Sequence, residues 1–408
     1  MRTHRRIVIA GASLAGLRAA QTLRDEGFAG ELDLIGAEPH LPYNRPPLSK
    51  SVLTGDDDVA LPGADEIDAR WLGGRRAVRL DGDVRAVTLD DGTRLPYDGL
   101  VIATGARPRL PAGGWTDLPG VHVLRTIDDA LALRAALAGG PRRVVVIGGG
   151  FIGGEIASTV RAQGIETVLV DAAPFPMAGV IGETAAGWLA GHHRRNGVDL
   201  VSGTRVTTVE RTPVDGAPVD GGSGHEGTAL RVRLDDGRSL PADLVVAGMG
   251  VLPNTEWLEG GGVRVDDGVL TDAALFAADG VVAAGDVARW PHGLFGGEAV
   301  RVEHWANANE QGAVAARNLL RGPAEAEPFT EVPSLGTRVH GVRVQWAGFP
   351  RLADTSRVVA GDPADGRFAV AFGRAGVLVG GAAVGLPKEL IRLRRAIAAG
   401  EPVPALAG

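Results

Sequence analysis

A short apolar run, a glycine-rich turn and a helix occur twice in this chain, and that repetition limits the possible folds more than any other feature. The first copy runs from the apolar residues 7–10 into Gly11-Ala12-Ser13-Leu14-Ala15-Gly16, continues at helical spacing over 14–26, and reaches a second apolar run at 32–35. The second copy runs from 144–147 into Gly148-Gly149-Gly150-Phe151-Ile152-Gly153, a helical stretch to about Gln163, and a further apolar run at 167–170. Unbroken apolar runs of this length, separated by helices, are what parallel strands covered on both faces require. The expectation is an α/β fold with two Rossmann-like three-layer nucleotide-binding domains. Each copy is followed by a hairpin signal, Asp90-Asp91-Gly92 or Asp235-Asp236-Gly237, and then by a buried strand ending in glycine, 100–105 or 244–250. Residues 212–227, rich in Gly, Pro and Asp, read as a long exposed hairpin loop. From about Pro323 the pattern changes to alternating strands (342–347, 368–372, 377–379) and a short basic helix at 388–399, a small C-terminal α+β domain.

The second loop is a complete Gly-x-Gly-x-x-Gly fingerprint, with Gly148, Gly150 and Gly153 in place and Phe151 and Ile152 opening the helix. Such glycines allow a tight turn, close approach of backbone to a pyrophosphate, and close helix–strand packing, while the helix N-terminus favours the anion. Asp171 ends the next strand, where an acid accepts a hydrogen bond from an adenosine ribose. Ala172 and Ala173 offer no arginine for a 2′-phosphate, so the expected ligand is NADH rather than NADPH. The first loop has the same plan with one defect. Gly11, Leu14, Ala15 and Gly16 match, Glu38 stands where a ribose-binding acid belongs, but the middle position is Ser13. Its small hydroxyl side chain could itself donate to a phosphate oxygen. Proteins with two such domains commonly hold a flavin and a nicotinamide together.

Composition excludes several chemistries. With no cysteine in 408 residues, there is no disulfide, cysteine metal site, redox-active Cys-x-x-Cys or cysteine nucleophile. A net charge of −7 argues against general nucleic-acid binding. No apolar stretch is long enough for a membrane span, and the N-terminus lacks the pattern of a signal peptide, so a cytoplasmic location is expected. No metal site is expected: His192-His193 reads as solvent-facing on an amphipathic stretch, and Asp56-Asp57-Asp58 as a solvated loop. The basic cluster Arg392, Arg394 and Arg395 reads as a solvated helix face, with attraction of an acidic protein partner as the alternative. Lys50 and Lys388 are the only lysines.

The run Ala37-Glu38-Pro39-His40-Leu41-Pro42-Tyr43-Asn44-Arg45-Pro46-Pro47-Leu48-Ser49-Lys50 resembles the segment after the second strand of FAD-dependent, NADH-dependent ferredoxin reductases that serve oxygenases, the family of putidaredoxin reductase and the reductase components of aromatic-ring dioxygenases. Four more stretches agree in order and spacing: Ala103-Thr104-Gly105-Ala106-Arg107-Pro108, Gly148–Glu155, Gly285-Asp286-Val287-Ala288 and Val302-Glu303-His304-Trp305. The resemblance covers the chain to about residue 320. It implies FAD and NADH as cofactors and a discontinuous FAD-binding domain at 1–112 and 242–320, because Gly285, Asp286 and Trp305 must return to the first loop. It implies an NADH-binding domain at 113–241 and a C-terminal domain at 321–408.

By the same resemblance Lys50 lies beside the flavin N5–O4 edge, and Glu155 pairs with it and helps orient the nicotinamide. Asp286 accepts from a ribityl hydroxyl, and the backbone at His304 and Trp305 meets the flavin pyrimidine edge, although Trp305 could also be plain core filler. Arg45, Val84, Ala103, Thr104, Gly105 and Arg125 belong to the FAD contacts, and Gly250 to the cofactor set. The partner implied is a small, two-iron ferredoxin that feeds an oxygenase; the oligomeric state is left open. Two departures stand out. The family's aromatic-rich run early in the C-terminal domain is replaced by Val332-Pro333-Ser334-Leu335-Gly336-Thr337-Arg338-Val339-His340-Gly341, with Gly336 where Trp is expected and Arg338 where Asp is expected. Gly154 replaces the usual Leu, which would widen the nicotinamide pocket. Other acceptors (rubredoxin, a quinone, oxygen, a small molecule) remain open, as does a flavin- and NAD-binding signalling protein with little turnover.

Overall fold

The computed structural model of the protein describes residues 4–56, 58–111, 113–213 and 228–404. The expected loop at 212–227 therefore lies almost wholly outside the described residues, as does Asp57. The chain divides into two compact units. The first comprises Met1–Asn44, Val59–Arg107 and Leu252–Leu335; the second comprises Arg45–Asp58, Pro108–Val251 and Gly336–Gly408.

In the first unit a six-stranded sheet runs in the order Phe276–Ala278, Val281–Ala283, Gly99–Ile102, Arg6–Ala10, Glu31–Gly36, Arg70–Gly73. All its neighbours pair in parallel except the outermost, Phe276–Ala278, which is antiparallel. One face packs on a three-stranded antiparallel sheet, Ala77–Asp81, Ala86–Leu89 and Arg94–Pro96, through Val8, Ala10, Leu100 and Ile102 against Leu80, Val87, Leu89 and Leu95. Helices Leu14–Asp25 and Trp305–Arg321 pack together so closely that a Cβ on Gly312 would lie 2.4 Å from the Ala15 carbonyl oxygen. Fully burying each such Val, Leu or Ile contributes roughly 1.5–3 kcal/mol, which is why the central strands are apolar at most positions, with the buried Asp33 tied to Arg70.

The second unit repeats the plan. Its parallel sheet runs Val198–Ser202, Glu166–Asp171, Arg143–Ile147, Leu244–Ala247, Val121–Val123. Val145, Ile147, Val168 and Val170 bury one face against Val209, Leu230, Val232 and Leu234, all from the antiparallel strands Val206–Pro213 and Thr228–Leu234. The repetition extends to the polar clamp that starts the central strand. Asp98 Oδ2 accepts from the Arg5 and Arg6 amides while Arg6 pairs with Glu31; Asp243 Oδ2 accepts from the Arg142 and Arg143 amides while Arg143 pairs with Glu166. Both hairpins fall where the Asp-Asp-Gly signals put them.

The second unit also contains a five-stranded antiparallel sheet, in the order Ser334–Val339, Val342–Gly348, Val377–Val384, Arg367–Arg374, Thr355–Asp362, with helix Pro387–Ala398. Arg392 and Arg394 on that helix are exposed while Leu390, Leu393 and Ile397 are buried, so this basic cluster is a solvated face. The segment Arg45–Asp58 is built into this unit by two 3₁₀ turns, Pro46–Ser49 and Val52–Thr54. Thr159 Oγ1 donates to the Ser49 carbonyl (2.9 Å) and an Arg45 guanidinium nitrogen donates to the Arg125 carbonyl (2.5 Å).

Two dinucleotide loops and a buried Lys50–Glu155 pair

In an open parallel sheet, ligands bind beyond the carboxyl ends of the strands, and the candidate residues of the first unit collect there. Gly11, Ala103–Gly105 and Gly285–Asp286 follow the adjacent strands Arg6–Ala10, Gly99–Ile102 and Val281–Ala283, and Glu38 follows Glu31–Gly36. Gly11 has φ +117°, and a Cβ there would lie 2.0 Å from the Ala103 oxygen; one on Gly16 would lie 1.8 Å from the Gly11 oxygen. Neither position admits a side chain. The second unit matches it: a Cβ on Gly148 (φ +94°) would lie 2.2 Å from the Gly248 oxygen, and one on Gly153 1.8 Å from the Gly148 oxygen.

The middle position differs, and the difference explains Ser13. Ser13 has φ −107°, Gly150 has φ −67°, and nothing lies within 4 Å of a Cβ built on Gly150. That site needs neither a left-handed backbone nor empty space inside the protein. A serine fits as the residue before the first turn of helix Leu14–Asp25, with its hydroxyl beside the free amides of the helix start.

Other groups complete the cradle of the first unit. Tyr43 Oη donates to Glu38 Oε2 (2.5 Å), which fixes the acid. Thr104 and Asn254 exchange hydrogen bonds between side chains and carbonyls, each 2.8 Å, and so hold the loop at Gly105. Gln311 is fully buried; its Oε1 accepts from the Gly285 amide (2.9 Å), and among the described residues its Nε2 has no partner. A buried donor without an acceptor is costly, and here it lies beside the Gly285-Asp286 turn. His304 precedes helix Trp305–Arg321, and burial pushes its imidazole down to about 4, with Asp286 acting in the opposite direction. Trp305 is 40% exposed, so it is not core filler. Val84 is exposed on the hairpin between Ala77–Asp81 and Ala86–Leu89. The stacked glycines, the open middle position and the orphaned Gln311 donor fit the ADP and ribityl portions of FAD.

In the second unit Asp171 Oδ2 accepts from the Gly149 amide (2.5 Å) and Oδ1 from the Ala173 amide (2.7 Å). The acid thus braces the loop and keeps lone pairs for a ribose hydroxyl, which fits an NAD(H) adenosine. Gly250 (φ +85°) follows strand Leu244–Ala247, and its carbonyl accepts from the Arg109 amide. Glu155, in the first turns of helix Phe151–Ala162, is only 7% exposed. A buried carboxylate must be paired and hydrogen-bonded. Lys50 Nζ donates to its Oε2 (2.5 Å), as does Ser49 Oγ (2.5 Å), and Thr337 Oγ1 donates to Oε1. Lys50 Nζ also donates to the Pro46 carbonyl (2.9 Å). Lys50 and Glu155 therefore meet as expected; Ser49 and Thr337 were not foreseen, because nothing local in the sequence marks them.

Three expectations change. His192 and His193 do not face solvent together. His193 is 1% exposed, its Nδ1 lies 3.1 Å from His340 Nε2, and His192 Nε2 lies 3.2 Å from the Val339 oxygen. The space left by Gly154 is not open on that side, since His193 Nε2 would sit 3.5 Å from a Cβ there. At Gly336 a Cβ would lie 2.8 Å from Gln345 Cγ, so the Gln345 side chain lies over this glycine. Elsewhere in this unit Phe151 stacks on Trp346, centroids 4.1 Å apart. Trp346 carried no signal in the sequence.

A chain with two such loops, a buried Glu155 paired with a half-buried Lys50, and no cysteine is defined by its fold as a two-nucleotide flavoprotein. The Pyridine nucleotide-disulphide oxidoreductase family model matches residues 5–312 and the Reductase C-terminal model matches 338–407. The chain belongs to the pyridine nucleotide-disulphide oxidoreductase family, within the group of ferredoxin reductases of oxygenase systems. It is 38% identical over 404 residues to the ferredoxin–NAD(+) reductase component of the anthranilate 1,2-dioxygenase system of Burkholderia cepacia, covering 96% of this chain and 94% of that one. It is 35% identical over 406 residues to rhodocoxin reductase of Rhodococcus erythropolis, covering 97% and 90%. The covalent putidaredoxin reductase–putidaredoxin complex superposes with a TM-score of 0.88 at 31% identity, covering 98% of this chain and 94% of that one. Among the described residues no helix is long and apolar enough to cross a membrane.

Proposed function

We infer that this protein is an NADH-dependent, FAD-containing ferredoxin reductase that feeds an oxygenase, catalysing NADH + 2 oxidised ferredoxin → NAD⁺ + H⁺ + 2 reduced ferredoxin. The observation that carries the reading is the pair of dinucleotide loops, one in each unit and with the same close glycine contacts at both ends, in a chain without cysteine. The relatives named as ferredoxin–NAD(+) reductase components support it over nearly the whole length. FAD, when bound, supplies the conversion of a two-electron hydride donor into one-electron steps. We place the reaction in the cytoplasm, and assign FAD binding to the first unit and NADH binding to the parallel sheet of the second, which takes strand Leu244–Ala247 out of the expected 242–320 segment.

The chain's own residues act by binding and by fixed charge. Gly11, Ser13, Leu14, Ala15 and Gly16 take the FAD diphosphate and Glu38 its ribose. Asp286, with Gln311 Nε2 beside it, takes ribityl and neighbouring oxygens. Gly148, Gly150, Phe151, Ile152 and Gly153 take the NADH diphosphate, and Asp171 its adenosine ribose. Lys50 Nζ carries a proton held between Glu155 and the Pro46 carbonyl. A cation fixed in this way stabilises negative charge developing on the reduced flavin without reorganising. Anaerobic addition of NADH should bleach the flavin absorbance within seconds. Turnover should be faster with a two-iron ferredoxin than with rubredoxin, quinone or oxygen; the reverse order would overturn the assignment of acceptor.

A further inference from the structure

In the second unit a cleft of about 430 Å³ opens at the far end of helix Phe151–Ala162 from the Gly148–Gly153 loop. Its walls are Ser158 and Arg161 of that helix, Asn196 after helix Ala178–Arg195, and the His340-Gly341 turn between strands Ser334–Val339 and Val342–Gly348. The turn is held rigidly. His340 and Gly341 both have positive φ (+45° and +80°), as two-residue hairpins need. The His340 amide donates to Ser158 Oγ (2.8 Å), leaving that hydroxyl proton available, and His340 Nε2 is tied to His193 Nδ1. Arg338 Nη1 donates to the Gly341 carbonyl (3.0 Å).

The charges at this cleft are of one sign. Arg161 makes no ion pair among the described residues, and its Nε is buried without a hydrogen-bond partner. The guanidinium lies against Gly197, where a Cβ would come within 2.8 Å of Nε. Of the charged neighbours that act on His340 and His193, Arg161 and the other imidazoles are all cationic or become so on protonation. Arg195 bears in the same way on His192. No carboxylate among the described residues pairs with Arg161, Arg195 or Arg338. The one cation of the lining, Arg161, converges with the Ser158 hydroxyl, the Asn196 amide and the His340 imidazole on a cleft large enough for a small organic molecule, which matches the chemistry of an oxyanion.

We propose that the Arg161–His340 cleft binds a small oxyanion, a carboxylate or phosphate, with Arg161 as the principal donor and Ser158, Asn196 and His340 completing the site. Its lining shares no residue with either dinucleotide loop, so the proposal goes beyond the reductase reading and does not rest on it.

Calorimetric titration of the FAD-loaded enzyme at constant chloride, with sodium phosphate in one arm and sodium succinate in the other, tests it. Saturable binding is expected in at least one arm, and the arm that binds tells phosphate from carboxylate. Arg161→Gln should weaken it by at least about tenfold, the loss of one charge-assisted bond of ~1.4 kcal/mol, while Arg161→Lys retains part. In a parallel proton NMR titration the His340 ring, assigned by its loss in His340→Gln, should titrate at higher pH when the anion is bound. No saturable binding in either arm overturns the proposal. So does an Arg161→Gln enzyme that binds as well as the parent but melts at a lower temperature, because Arg161 would then only cap its helix. Since the readout is binding, a failed reductase assay leaves this test intact.

Discussion

Lys50 shows how much one side chain owes to its neighbours. A lysine after Pro-Leu-Ser would ordinarily be a solvated cation, yet this one is 34% exposed and locked onto a carboxylate that is 9% exposed. Glu155 in turn takes three donors, from Lys50, Ser49 and Thr337. Lys50→Met removes the fixed charge and should slow flavin reduction by NADH by about 10²-fold, in the range seen for loss of one preorganised electrostatic donor. FAD content should change little. Stopped-flow reduction against flavin occupancy separates the two effects, and an unchanged rate would remove Lys50 from the chemistry. Gly154 and His193 form a second residue-scale unit. A leucine at 154 meets the His193 ring, so Gly154→Leu should lower the melting temperature, and His193→Ala in the same chain should recover part of the loss. Coupling of this kind is expected for side chains in contact; strictly additive effects would show that they do not touch.

At the scale of elements, each loop depends on a glycine that the helix and strand leave no room to replace. Gly16→Ala and Gly153→Ala both force a Cβ to 1.8 Å from a backbone oxygen. The consequences should nonetheless differ. Gly16→Ala should be purified largely without flavin. Gly153→Ala should keep its flavin yet require at least about tenfold more NADH, the equivalent of ~1.4 kcal/mol. Absorbance spectra and steady-state KM values read the two outcomes independently, and normal flavin content in the first variant would remove Gly16 from the FAD loop. These elements were legible from the sequence because their determinants are local. Apolar runs, Asp-Asp-Gly turns and glycine spacing act within a few residues, and most of the strands and helices fall within a residue or two of the expected bounds, although the strand expected at 377–379 runs on to Val384 and those expected at 100–105 and 244–250 end at Ile102 and Ala247. The matched clamps of Asp98 and Asp243 were not legible, since each joins residues about a hundred positions apart.

For the whole molecule, buried histidines link stability to acidity. Burial holds His304 and His340 at about 4 and His193 at about 3, all below the ordinary value of 6.5. A group whose pKa is lowered on folding binds its proton more readily in the unfolded chain. Its contribution is therefore complete above about 6.5 and is lost as pH falls towards 4 and then 3. The melting temperature should thus fall steeply between pH 6.5 and 4, and His340→Gln should flatten the lower part of that profile; a profile unchanged by the substitution would show that His340 does not carry the linkage. None of these imidazoles looked buried in the sequence. His192-His193 sits on an amphipathic helix, and only the hairpin that brings His340 to His193 removes it from water.

The sequence by itself determined the two α/β folds, the dinucleotide loops and the class of cofactor, because periodicity and glycine geometry are encoded over a few neighbouring residues. Tertiary structure alone decided that Ser49 and Thr337 hold Glu155, that the Gln345 side chain lies over Gly336, and that Arg161 has no counter-charge among the described residues. Each depends on contacts between segments distant in sequence, where burial and pairing are set by what the fold brings together and not by any local pattern.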